Sequence, residues 1–151
     1  MKALSGLAVC TLMVIGIHFA ASCSIASNWR PQDFVTRMET AEIAFKGRVI
    51  HMPQTPPSHG LYTVKFEVDC VYKTSLPITK EVNVSRFGYV GGLCVSTMVT
   101  EGESYIVLAR APYAAGESMM IHEVNVQPAA ETAAPNLIAS VQNVHSCQKP
   151  E

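Results

Sequence analysis

Five cysteines (Cys10, Cys23, Cys70, Cys94 and Cys147) are the residues of this 151-residue chain best suited to chemistry. A cysteine can bridge, ligate or attack, and its surroundings decide which. Cys23 stands apart from the other four. Lys2 makes a short basic start, Leu4 to Phe19 is almost uninterrupted apolar sequence, and the small residues Ala20, Ala21 and Ser22 follow. That order reads as a secretory signal peptide. A cut after Ser22 puts Ser22 and Ala20 in the two small-residue pockets of a signal peptidase, whereas a cut after Ala21 forces Phe19 into one. The mature chain then begins at Cys23, with an α-amino group and a carbonyl at one rigid spot.

Three alternatives compete for this segment. As a membrane anchor it is short of the roughly 20 apolar residues needed to span, and Thr11, Gly16 and His18 weaken it further. A lipoprotein signal is similar, but Ala20 stands where a larger aliphatic is usual. A later cut, for instance after Ala26, removes Cys23. Cysteine arithmetic favours the early cut. Cys10 leaves with the signal, so four cysteines remain, an even number for an oxidising compartment. Two disulfides with three possible connectivities follow. Losing Cys23 as well strands one thiol. The expected organisation is a signal peptide over 1–22 and one domain over 23–151, secreted to the extracellular space.

Other reactive residues carry less. His51, His59, His122 and His145 have no metal-ligand spacing, and no His-Glu-x-x-His motif occurs. His122, beside Glu123, reads as a partly buried sheet residue. Ser24 and Ser96 lack the elbow that exposes a nucleophile. No enzyme activity and no cofactor are expected. Removing Lys2 leaves ten basic against twelve acidic side chains, a net charge of about −2 with no basic stripe. Nucleic acid and anionic membrane surfaces are therefore poor partners. Met119-Met120 reads as strand core. Trp29 is either a binding anchor or, the favoured reading, a cap on one end of the fold. Tyr72 and Tyr89 read as aromatics at the edge of the sheet.

The elements that position these residues follow from periodicity. Trp29 to Ala41 places Phe34, Met38 and Ala41 at helical spacing, with Pro31 suited to a first turn. Glu42 to His51 reads as a strand broken near Gly47, where a bulge or tight bend is expected. Met52 to Gly60, with three prolines, is a projecting loop. Tyr62, Val64, Phe66, Val68, Cys70 and Tyr72 alternate with mostly polar neighbours, so they form the buried face of an antiparallel strand. Glu81 to Phe87 is a shorter strand with Val82 and Val84 inward. Asn83-Val84-Ser85 within it is a glycosylation acceptor, with Asn83 on the solvent side. Gly88 to Gly92 reads as a turn, Ser104 to Ala111 as a central strand, and Glu117 to Gln127 as a fifth strand after a hairpin at Ala114-Ala115-Gly116. Pro128 to Pro135 is a connector. Leu137, Ile138, Val141 and Val144 recur at helical spacing in a closing helix that delivers Cys147. The fold class is mainly β, a five-stranded barrel of the OB type flanked by a short amino-terminal helix and a carboxy-terminal one.

Several local patterns resemble the netrin-like domains, which include the tissue inhibitors of metalloproteinases. Tyr62 to Lys73 (YTVKFEVDCVYK) is similar to their second strand. Gly91-Gly92-Leu93-Cys94 followed by Glu101-Gly102-Glu103-Ser104-Tyr105-Ile106-Val107-Leu108 is similar to their Cys-then-Gly-then-strand signature. A narrower likeness, to the globular part of the favine-like secreted coiled-coil proteins, rests on Cys23 followed by Trp29-Arg30-Pro31, and on Asn83-Val84-Ser85 before Gly88-Tyr89 and Cys94. No heptad run follows Cys147 to match the coiled-coil half. The resemblance implies bridges Cys23–Cys94 and Cys70–Cys147. It also implies a way to act on a protease: the terminal cysteine would chelate the partner's catalytic zinc through its α-amino nitrogen and carbonyl oxygen, displacing the bound water. Carried over by position, the ridge is Cys23, Ser24 and Ile25 beside Gly92, Leu93 and Cys94, with Ser24 pointing into the pocket next to the zinc. The chain departs from those inhibitors where Ile25 replaces a second cysteine, and it has no third bridge. An extracellular protein-binding module, with a receptor or matrix component as partner, is therefore expected ahead of a zinc-protease inhibitor.

Overall fold

The computed structural model describes residues 26–57, 60–90 and 94–151. Helix α1 (Phe34–Thr40) starts later than Pro31 leads one to expect. Its cap is the reason. Asp33 accepts from the Thr36 amide at 2.9 Å and from the Thr36 hydroxyl at 2.6 Å, which satisfies a donor of the first turn. Asp33 itself is extended, so Pro31 lies ahead of the helix. Phe34, Met38 and Ala41 are buried as their spacing requires. At the other end, the Lys73 ammonium donates to the Glu39 carbonyl at 2.6 Å, a cation at the helix carboxyl end.

Strands β1 (Ile43–His51), β2 (Leu61–Lys73) and β3 (Glu81–Val90) form an antiparallel meander. Strand β4 (Val95–Thr97) pairs with β3, and β5 (Ser104–Arg110) returns to pair with β1. Strand β6 (Met119–Ile121) sits between β5 and β3, and β7 (Ala130–Thr132) adds to β5. The path β1-β2-β3-β6-β5 meets β1 again, so these five strands close into a barrel. All its pairs are antiparallel except β3 with β6.

Strand β1 closes the barrel because it pairs on both edges: Ala44 faces Lys73 on one side and Leu108 on the other. The expected bend is present, a register shift between Lys46 and Gly47. A Cβ on Gly47 would lie 2.8 Å from the Glu67 carbonyl oxygen, closer than side chains tolerate. On β2 the period-two face is buried throughout, from Tyr62 to Tyr72. Tyr72 is thus a core residue at 4% exposure, which corrects its reading as an edge aromatic. Inside the barrel, Phe45 meets Phe66 edge to face at 5.6 Å, and Phe66 meets Phe87 at 5.7 Å.

One strand is much shorter than the periodicity implies. The expected fifth strand over Glu117 to Gln127 pairs only as Met119–Ile121, and the chain then winds into a 3-10 turn at Val124–Val126. Asn125 and Val126 there have φ of 57° and 54°, left-handed backbone that apolar alternation does not report. The segment ahead of α1 holds this turn. The Trp29 indole N–H donates to the Asn125 carbonyl at 3.0 Å, and the Asn125 amide donates to the Arg30 carbonyl at 2.9 Å. Gln127 exchanges two bonds with the backbone of Gln32 at 2.8 and 3.0 Å. Trp29 therefore serves a structural role at one end of the barrel.

Helix α2 (Pro135–Gln142) opens with its proline in the first turn. Val141 is fully buried, with Leu137 and Ile138 packed beside it. Val144 lies beyond the helix and is 55% exposed, so it leaves the apolar face assigned to it. Cys147 is bonded to Cys70 with Cα atoms 5.4 Å apart. Val71 and Gln148 exchange backbone bonds of 2.8 and 2.9 Å next to this bridge. The other expected bridge falls on Cys23, outside the described residues.

Candidate binding surface beside Cys94

Cys94 has a φ of 57° and leads directly into β4. That short strand exists because β3 runs on to Val90, through glycine and tyrosine positions that read locally as a turn. Gly88 makes this possible. Its φ is +108°, and a Cβ there would sit 2.3 Å from the Gly60 carbonyl oxygen. The close approach brings three chain segments into one row, with Leu61 opposite Gly88 and Gly88 opposite Thr97.

On the three segments that meet here, three large apolar side chains are exposed. Leu61 is 46%, Tyr89 39% and Met98 53% exposed. Their neighbours are anchored inward. Thr97 is wholly buried, and its hydroxyl accepts from the Ala129 amide at 3.0 Å. The Tyr62 hydroxyl, held above its usual titration range first by burial, reaches the Met98 sulfur at 3.8 Å. Tyr105 supports the following loop, its hydroxyl accepting from the Thr100 amide at 3.0 Å. Exposed apolar side chains beside paired strands can serve as anchors for a partner. Of the ridge residues carried over by resemblance, Cys94 falls at this rim. Cys23, Ser24, Ile25, Gly92 and Leu93 lie outside the described residues.

A second constellation, hidden in the sequence, gathers Arg86, Arg110, His122 and Glu123 about β6. Strand pairing brings it together: Arg110 faces Met120, and Ser85, next to Arg86, faces Met120 from the other side. Burial lowers the His122 titration, the Arg110 charge lowers it further, and Glu42 opposes both. Burial raises that of the Glu123 carboxyl, against the pull of Arg86 and Arg110. Arg86 has a φ of 74° within β3, a strained position for a long side chain. Only His122 and Glu123 are adjacent in sequence, so no spacing could have announced the group. Met119 and Met120 are buried beneath it as ordinary core.

The remaining expected residues are dispersed. His51 is exposed at the end of β1, and His145 pairs with Glu39 at 2.7 Å. His59 lies outside the described residues, and Ser96 pairs opposite Tyr89 on β4. Asn83 is exposed on β3, with Val82 and Val84 buried on either side, as the alternation requires. Among the described residues no group of three or more His, Cys, Asp or Glu side chains is placed to hold a metal ion. Comparison with known protein families and with curated proteins found no match.

Proposed function

We propose that this chain is a secreted, non-enzymatic module of the netrin-like and OB kind that acts by binding an extracellular protein. The carrying observation is the apolar rim of Leu61, Tyr89 and Met98 beside Cys94. Aromatic and methionine side chains are enriched at the centres of protein interfaces, where a few buried anchors supply most of the affinity. Closure of five strands with a parallel β3–β6 pair supports the OB assignment. The Cys70–Cys147 bridge suits an oxidising compartment. In the same reading Asn83 carries N-linked sugar.

Inhibition of a zinc protease through a terminal Cys23 is the second reading, favoured by the position of Cys94 at this rim. Its ridge would then lie where the exposed side chains could extend the contact.

A pull-down of secreted protein partners, comparing wild type with Leu61→Asp, Tyr89→Ser and Met98→Asp, tests the binding reading. A partner lost in at least two of the three variants, each still folded by circular dichroism, is the expected result. Undiminished capture by all three removes the rim from the mechanism. Acetylating the α-amino group of Cys23, or placing one alanine before it, separates the readings: a zinc-protease inhibitor loses activity, and a module using the rim keeps its partner.

A further inference from the structure

Asn83 does more than sit in a glycosylation triplet. It lines an open groove of about 270 Å³ between the β2–β3 connection and the β5–β6 hairpin. Ile78, Val82 and Met119 are buried at its base, and Leu76, Pro77 and Pro112 give apolar walls. Glu81 and Glu117 add carboxylates to the lining. Thr79 and Ser118 supply hydroxyls at the same groove. That volume is smaller than sites for drug-sized ligands. A pyranose ring suits such a lining, because it offers one apolar face and a rim of hydroxyls. On the triplet itself, the Ser85 hydroxyl donates to the Met119 carbonyl at 3.1 Å. The hydroxyl needed for recognition by the transferase is thus occupied once β3 and β6 pair, which places modification before folding.

We infer that Asn83 bears an N-linked glycan whose first N-acetylglucosamine packs into this groove against Leu76, Pro77 and Pro112. In the transfer, the Asn83 amide nitrogen bonds to the anomeric carbon of a lipid-diphosphate-linked oligosaccharide. The bond from that carbon to the diphosphate oxygen breaks, the lipid diphosphate leaves, and the amide loses one proton. The seat lies six residues from Tyr89 along β3, about 20 Å at the rise of a strand. Sugar there shields one end of the barrel and leaves the apolar rim open. This inference rests on the secretory reading proposed above.

The test translates the full-length precursor with microsomes, then compares high-mannose protein from cells with its Asn83→Gln variant. The expected result is a protease-protected chain heavier by one glycan, with no gain in Asn83→Gln. Amide exchange over 76–83 and 116–119 should be slower in the glycoprotein, should stay slow when endoglycosidase H leaves a single sugar, and should lose that protection in Asn83→Gln. A protected chain without mass gain, or equal exchange with and without sugar, overturns the inference and spares secretion. An unprotected chain overturns the secretory reading and this inference with it.

Discussion

Arg37 and Glu131 join α1 to β7 through an ion pair in which the arginine is 1% exposed and the glutamate side chain 43%. The guanidinium also donates to the Pro128 carbonyl at 2.6 Å and lies 5.0 Å from the centre of the Phe34 ring. Burial of one partner only makes the pair asymmetric. Removing Glu131 leaves a buried cation without its counter-charge, whereas removing Arg37 leaves a carboxylate that water can reach. Glu131→Ala should therefore destabilise by about 3 kcal/mol. Arg37→Met, which preserves much of the buried volume, should be the milder change. Urea midpoints of the two variants check this, and the reverse order would show that the ion pair is not what holds Arg37.

Cys70 and Cys147 are 77 positions apart, so their bridge closes more than half of the chain. A loop of this length removes much denatured-state entropy, and replacing both cysteines by alanine should cost roughly 4 kcal/mol. Cys70 is also buried at 4% exposure, so the variant loses packing as well as the link. The native protein should show a larger drop in denaturation midpoint on adding reductant than the double variant does. Equal midpoints with and without reductant would contradict the clamp.

Gly88 should accept no side chain. Gly88→Ala meets both a positive φ and a carbonyl oxygen at 2.3 Å, and these add. Destabilisation should exceed the roughly 1 kcal/mol of a simple glycine-to-alanine entropy effect, with the opposite sign. By contrast, Gly102 has open space around a φ of +85°, so its alanine variant carries backbone strain alone and should be the milder of the two. Thermal melts of the pair provide the comparison.

His122 and Glu123 should oppose each other in the pH dependence of stability. The folded His122 titrates below its ordinary 6.5, so the unfolded chain binds the proton more readily. Stability on its account falls as pH drops from that value towards the folded one. The folded Glu123 titrates above its ordinary 4.5, so the folded chain holds that proton longer. Its contribution is present in acid and is lost as pH rises from 4.5 through the folded value. Glu123→Gln should thus be more stable than wild type at neutral pH, with the difference vanishing below the ordinary carboxylate range. His122→Gln should lose the decline on the acid side of neutrality. Denaturation midpoints measured across pH 4 to 8 read both slopes (about the range in which these two groups ordinarily titrate), and a Glu123→Gln advantage that grows in acid would reverse the assignment.

Much of the architecture was legible because strand faces write themselves into a chain with period two. Tyr62 to Tyr72 announced its buried side, Ile43 and Phe45 announced β1, and the Ala114-Ala115-Gly116 hairpin lies where its small residues suggested, with Gly116 at a φ of +88°. Helix ends were less legible. Asp33 outranked Pro31 as the start of α1 because a side-chain acceptor satisfies an amide donor that proline only does without. Strands β4 and β7, three residues each, are too short to carry a period at all.

By itself, then, the order of residues determined which side chains face inward, that Cys70 is buried, and that an amphipathic helix near the carboxyl end carries Cys147 to the body. Only tertiary structure decided which strands meet. The parallel placement of β6 beside β3, the return of β5 to β1, the single row of Leu61, Gly88 and Thr97, and the burial of Arg37 against Glu131 all join distant positions. A local pattern reports how each side chain divides between water and core. It carries no information about the partner strand, because that choice depends on how every other buried face is satisfied at once.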